Sequence, residues 1–77
     1  MDKMIREHDA IVLLRDLPET PFVAGDTGVV VYVYADAPAY EIEFANPEGK
    51  PRFLVMTVDA PDVLKLQPRG SVARTVA

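Results

Sequence analysis

Apolar and polar residues alternate most clearly in residues 39–44 of this 77-residue chain. A period of two over this length predicts a β-strand with one buried and one exposed face. The side chains expected to point inward are Tyr40, Ile42 and Phe44, and those expected to point outward are Glu41 and Glu43.

Other apolar runs predict further strands at residues 8–14, 27–34 and 52–58, with a short last strand at 64–66. In the first three of these runs, apolar residues occupy both odd and even positions, so apolar side chains point to both faces of the strand. In the second strand, Val29, Val31 and Val33 face one way, and Val30, Tyr32 and Tyr34 face the other. In the fourth strand, Phe53 and Val55 alternate with Leu54, Met56 and Val58.

The segments between the runs are typical of turns and loops. Gly25, Asp26 and Gly28 form a tight bend, with a positive φ expected at one or both glycines. A phosphate-binding loop would need a helix after these glycines, whereas a strand is predicted there. Residues 15–27 contain two prolines and form a long loop whose Leu17, Phe22 and Val23 are expected to fold over the core.

Five short strands joined by hairpins, with no helix long enough for a crossover, predict an all-β fold. We expect a small barrel of about five antiparallel strands with a long loop after strand 1. The length allows one domain, placed at residues 1–70, with 71–77 as a flexible tail.

The two-faced strands suggest an exposed apolar surface beside the acidic pair. The residues assigned to it are Val30, Tyr32, Tyr34, Leu54, Met56, Glu41 and Glu43. The alternative is that barrel bending, the long loop and the terminal segment cover both faces. Glu41 and Glu43 serve either solubility or the recognition of a basic partner.

Charge and composition restrict the possible functions. Eight basic and twelve acidic residues give a net charge of −4, which argues against nucleic acid as the main partner. The candidates for a local basic cluster are Lys50, Arg52, Lys65 and Arg69. The chain has no cysteine, no apolar run of membrane-spanning length and no signal-peptide core, so a soluble, cytoplasmic protein is expected.

The residue types needed for catalysis are scarce. His8 is the only histidine and Ser71 the only serine, and Ser71 falls in the expected tail. A nucleophilic triad or a metal site needs several such groups held together. We therefore predict no catalytic residues, no metal and no cofactor.

The order of four motifs resembles a family of short bacterial proteins known only as a domain of unknown function, numbered forty-nine twenty-six. The motifs are His8–Leu14, Asp16–Glu19, Gly25–Val30 and Tyr40–Phe44, and the resemblance extends over residues 5–67. It implies a Src-homology-3-like barrel and no established activity. Such proteins are often encoded in mobile or defence-related gene neighbourhoods, which implies an antitoxin-like or accessory binding role.

Together these features predict a non-enzymatic module that binds a protein partner or itself. The alternative is a nucleic-acid-associated module, because the glycine turn also resembles that of KOW-type ribosomal and transcription-factor modules. The chain lacks the basic flanks with which those modules bind RNA.

Overall fold

Five antiparallel strands form one sheet within residues 4–67, the part of the chain that the computed structural model describes. They are β1 (Ala10–Leu13), β2 (Thr27–Val33), β3 (Ala39–Ala45), β4 (Phe53–Asp59) and β5 (Val63–Lys65), with a 3₁₀ turn at Ala60–Asp62. Across the sheet the order is β4-β3-β2-β1-β5. The predicted all-β fold of five antiparallel strands is confirmed. The order is compatible with the Src-homology-3-like barrel implied by the family resemblance.

One face of this sheet carries the core. Its buried side chains come from all five strands and from the loop after β1, and they are Ile11, Leu13, Phe22, Val30, Ile42, Phe44, Val58 and Val63. In β3 the predicted alternation is confirmed, since Ile42 and Phe44 are buried and Tyr40 packs against them.

The loop after β1 folds over the core, as predicted. Phe22 is buried, and its ring stacks on Phe44 with centroids 4.5 Å apart. Leu17 packs beside the core, and its N–H donates to the Phe22 carbonyl at 3.0 Å. Val23, expected to join them, is exposed instead. The loop therefore closes one end of the core with a single aromatic anchor.

An irregularity in β2 changes which side chains share a face. Val30 pairs with Ile42, but the next paired residue, Tyr32, lies opposite Glu41, so Val31 is an extra residue. Such a β-bulge reverses the alternation of the strand beyond it. Val30 consequently points into the core, whereas Tyr32 points away from it.

The two glycines before and within β2 serve different purposes. Gly25 has φ +95° in a turn closed by the Asp26 N–H and the Val23 carbonyl, which confirms the predicted positive φ. Gly28 lies inside β2, where a Cβ atom would stand 2.7 Å from Ile42 Cγ2 and 2.9 Å from the Glu43 carbonyl oxygen. Gly28 is thus required by close approach between strands. Because β2 begins at Thr27, no helix follows the turn.

The proposed tail at residues 71–77 and the domain boundary at residue 70 lie outside the described residues, as do Arg69 and Ser71, so these assignments stay predictions. Within residues 4–67, no helix has the length and hydropathy needed to span a membrane.

Candidate interaction surface

The side of the sheet away from the core, here called the outer face, is formed by β2, β3 and β4. The register places two rows of side chains across these strands. One row is Val29, Glu43 and Val55, and the other is Tyr32, Glu41 and Thr57. Apolar and acidic groups therefore lie next to each other on this face.

Large apolar side chains on the outer face are exposed to solvent. Each is 40–50% exposed, and together we call them the outer patch: Val29, Val31, Tyr32, Phe53 and Val55. Exposed apolar side chains grouped in this way are typical of a surface that binds another molecule.

Glu41 is held in place by two hydroxyl groups. The Tyr34 phenol and the Thr57 hydroxyl, the latter at 2.7 Å, both donate to Oε2 of this carboxylate. The bond from Tyr34, followed by that from Thr57, lowers the pKa of Glu41 below its ordinary value, although burial opposes this. Glu41 is thus a fixed anion whose main contacts are within the protein.

Two tyrosines support this carboxylate. The rings of Tyr32 and Tyr34 meet edge to face, with centroids 5.0 Å apart and planes at 82°. The bond to Glu41 raises the pKa of Tyr34, because ionisation of the phenol would place two negative charges together. The outer face therefore carries a connected aromatic and acidic group of fixed geometry.

Glu43 differs from Glu41 in having no internal partner. It lies between Val29 and Val55, and within residues 4–67 its side chain makes no hydrogen bond or ion pair. Apolar neighbours reduce the screening of a charge by water. Glu43 is therefore the acidic group of this face that is available to a partner.

The seven residues predicted to form an interaction surface do not all lie together. Tyr32, Tyr34, Glu41 and Glu43 share the outer face, but Val30 is fully buried. Leu54 and Met56 are half-buried and pack against the core on the opposite side. The face assignment of Val30, Leu54 and Met56 was wrong. For Val30 the reason is the bulge in β2. For Leu54 and Met56 the reason is that β4 carries apolar residues at both odd and even positions, so the sequence does not show which face is buried.

The sequence reasoning did not assign Val29, Val31, Phe53 and Val55 to the exposed surface. Val55 lies opposite Glu43 in the neighbouring strand, but this pairing follows from the β3–β4 register, which the sequence does not specify. No residue type in the sequence marks the bulge at Val31.

A separate groove of about 620 Å³ lies between the segment before β1 and the ends of β2, β3 and β5. Its lining is mostly apolar and includes Ile5, Val33 and Leu64. The Lys65 ammonium, the one charged group among the described lining residues, already pairs with Asp9 at 3.3 Å and donates to the Met4 carbonyl. Specific small-molecule sites usually offer several convergent polar groups, so we prefer the outer face as the candidate site.

The described residues form no metal site, and the candidate basic residues among them are divided between the segment before β4 and β5 itself. Within 4–67, no group of three or more His, Asp or Glu side chains is placed to hold a metal ion. Lys50 and Arg52 precede β4, whereas Lys65 lies in β5 at the other end of the strand order. Lys65 is also paired with Asp9 at 3.3 Å, so its charge is partly neutralised within the protein.

A comparison with protein families matches residues 7–64 to the family described as Domain of unknown function (DUF4926). The chain belongs to this family. The DUF4926 match covers β1 to β4 completely and most of β5, and it confirms the resemblance found in the sequence motifs. No match was found among curated proteins or among solved structures.

Proposed function

We propose that this DUF4926 protein is a non-enzymatic, cytoplasmic interaction module that binds another protein through its outer face. The observation that carries the proposal is the position of the unpaired Glu43 carboxylate among exposed apolar side chains. Apolar burial would supply most of the affinity, and the charge would select the partner.

The partner that fits this surface is a protein with a basic residue flanked by apolar side chains. An arginine on the partner could donate to both oxygens of Glu43, and its apolar neighbours could pack on Val29 and Val55. The net charge of −4 would also favour the approach of a basic protein. A small basic toxin bound by an antitoxin-like protein is one example of such a pair.

The connected group of Tyr32, Tyr34 and Glu41 supports the same proposal. Its internal hydrogen bonds and ring contact fix the side chains before binding, so less conformational entropy is lost when a partner docks. Tyrosines in such positions frequently dominate binding energy.

The test is affinity capture from the native host with four forms of the protein. We compare the unchanged protein, Tyr32→Ala, Glu43→Gln and the control Leu64→Ala, whose side chain is similarly exposed but lies in β5. The proposal predicts a protein that is retained by the unchanged protein and the control and lost from both outer-face variants. Equal retention by all four folded forms would remove the outer face as the binding surface.

A nucleic-acid role was the alternative drawn from the sequence. No observation on the described residues favours it, since Lys65, one of the candidate basic residues, is paired with Asp9. We therefore do not propose a nucleic-acid partner.

A further inference from the structure

One edge of β4 has no backbone partner within residues 4–67. The strand pairs with β3 along its whole length, from Phe53 to Asp59, and no backbone hydrogen bond leaves its other edge. A long unpaired edge strand can accept another strand, and many proteins block such edges with proline, charge or a covering loop. The interior of β4 contains neither a proline nor a charged residue.

The hydrogen bonds at both ends of the β3–β4 ladder show which groups of this edge are free. The Asn46 N–H donates to the Arg52 carbonyl at 2.9 Å, and the Ala60 N–H donates to the Pro38 carbonyl at 2.7 Å. Since bonding alternates along an antiparallel strand, the even-numbered residues of β4 bond to β3. The free N–H and C=O groups therefore belong to Phe53, Val55 and Thr57, since the Asp59 carbonyl lies at the start of the 3₁₀ turn.

We propose that this edge pairs antiparallel with β4 of a second copy of the chain, about a two-fold axis at Val55. Each Val55 would then face its counterpart, and Phe53 would exchange hydrogen bonds with Thr57 of the other copy. This goes beyond the binding of a partner by the outer face, because it uses the backbone edge.

Charge complementarity supports the antiparallel direction. The chain is basic just before β4, at Lys50 and Arg52, and acidic at its end and just after it, at Asp59 and Asp62. In the proposed register Asp59 lies opposite Pro51 of the other copy. In that copy Pro51 stands between the two basic residues, Lys50 and Arg52. A parallel arrangement would place like charges side by side.

The side chains also match on the inner side of the strand. Leu54 and Met56 point toward the core yet are only half-buried, because they lie at the open edge of the sheet. The proposed register places each Leu54 beside Met56 of the other copy. Both side chains would become more buried in the dimer.

Sedimentation equilibrium at low salt tests this with Thr57→Pro and its control Thr57→Val. Both variants lose the hydroxyl bond to Glu41, and both leave the backbone pairing with β3 intact. Only the proline removes the outward N–H of residue 57. We expect twice the chain mass for the unchanged protein and for Thr57→Val, and the single-chain mass for Thr57→Pro. A single-chain mass for the unchanged protein, or a dimeric Thr57→Pro, would overturn the proposal.

A charge exchange keeps the proposal testable if Thr57→Pro does not fold. Arg52→Glu and Asp59→Arg should each weaken the dimer, and the double variant should regain it. Additive weakening in the double variant would contradict the antiparallel pairing. The outer-face variant Tyr32→Ala should remain dimeric, so failure of this proposal is distinguishable from failure of partner binding.

Discussion

Asp9 and Asp26 occupy equivalent places at the starts of the neighbouring strands β1 and β2. Each carboxylate accepts a hydrogen bond from the backbone N–H three residues earlier, of Arg6 at 2.8 Å and of Val23 at 2.9 Å. Each aspartate N–H donates to the carbonyl of that same residue, at 3.1 and 3.0 Å. A turn with the same hydrogen-bond pattern therefore precedes each of the two strands.

The residue before each aspartate has a positive φ, 77° at His8 and 95° at Gly25. His8 and Asp9 together face Val30 of β2, and Gly25 and Asp26 together face Leu13 of β1. This is the arrangement of a β-bulge whose first residue is left-handed, a position that favours glycine. His8 therefore occupies a glycine position.

Substitutions at these two positions should differ in their effect on the free energy of unfolding. We expect Gly25→Ala to destabilise the protein by about 1 kcal/mol, because a Cβ disfavours the left-handed conformation. His8→Gly removes that strain but adds entropy to the unfolded chain, so it should be neutral or stabilising by up to about 1 kcal/mol. Thermal unfolding followed by circular dichroism measures both. A Gly25→Ala protein that unfolds at the unchanged temperature would contradict the preference for glycine at this left-handed position.

Gly28 should be far less tolerant than Gly25. A Cβ there would approach Ile42 Cγ2, the Glu43 carbonyl oxygen and Phe44 Cδ1 within 2.9 Å. Overpacking of this kind costs about 1–3 kcal/mol, so Gly28→Val should lower the midpoint of chemical denaturation strongly. An unchanged midpoint would refute the close approach of β2 and β3.

The bond between Tyr34 and Glu41 should be visible in the alkaline titration. Because the pKa of Tyr34 is raised, this tyrosine should ionise above pH 10.0, and the stability from its neutral form should be lost as pH rises through that range. The ultraviolet difference between the unchanged protein and Tyr34→Phe isolates its titration. Glu41→Gln should shift that titration to lower pH, and no shift would contradict the bond.

Acid should destabilise the protein partly by protonating Glu41, which accepts the bond from Tyr34, and partly by protonating Asp9. Both carboxyl groups have a lowered pKa in the folded state, Asp9 mainly because of the bond from the Arg6 N–H. Each contributes stability above its ordinary pKa, and that contribution is lost as pH falls below it. Unfolding measured from pH 7 to pH 2 should show a shallower acid loss for Asp9→Asn than for the unchanged protein. Equal slopes would contradict the role of Asp9.

Much of the fold was predictable, because the alternation in β3 is strict. Tyr40, Ile42 and Phe44 could be placed inside, and the glutamates outside, from the period of two alone. The burial of Phe22 agrees with the predicted folding of the long loop over the core.

The candidate site was only partly predictable, because β2 and β4 carry apolar residues at both odd and even positions. Whether Val55 or Met56 faces solvent depends on the register with β3, which the sequence does not specify. The bulge at Val31 has no glycine or proline to mark it. A one-residue shift of this kind exchanges the two faces, which is why Val30 was misplaced.

The most direct test of the proposed outer face is calorimetric titration of the purified, captured partner into the unchanged protein and three variants. Tyr32→Ala and Glu43→Gln should each weaken binding by about tenfold or more, as expected for a central aromatic contact and a charge-assisted bond. The control Leu64→Ala should bind like the unchanged protein. Unchanged affinity in both outer-face variants, with the fold retained, would contradict binding through this face.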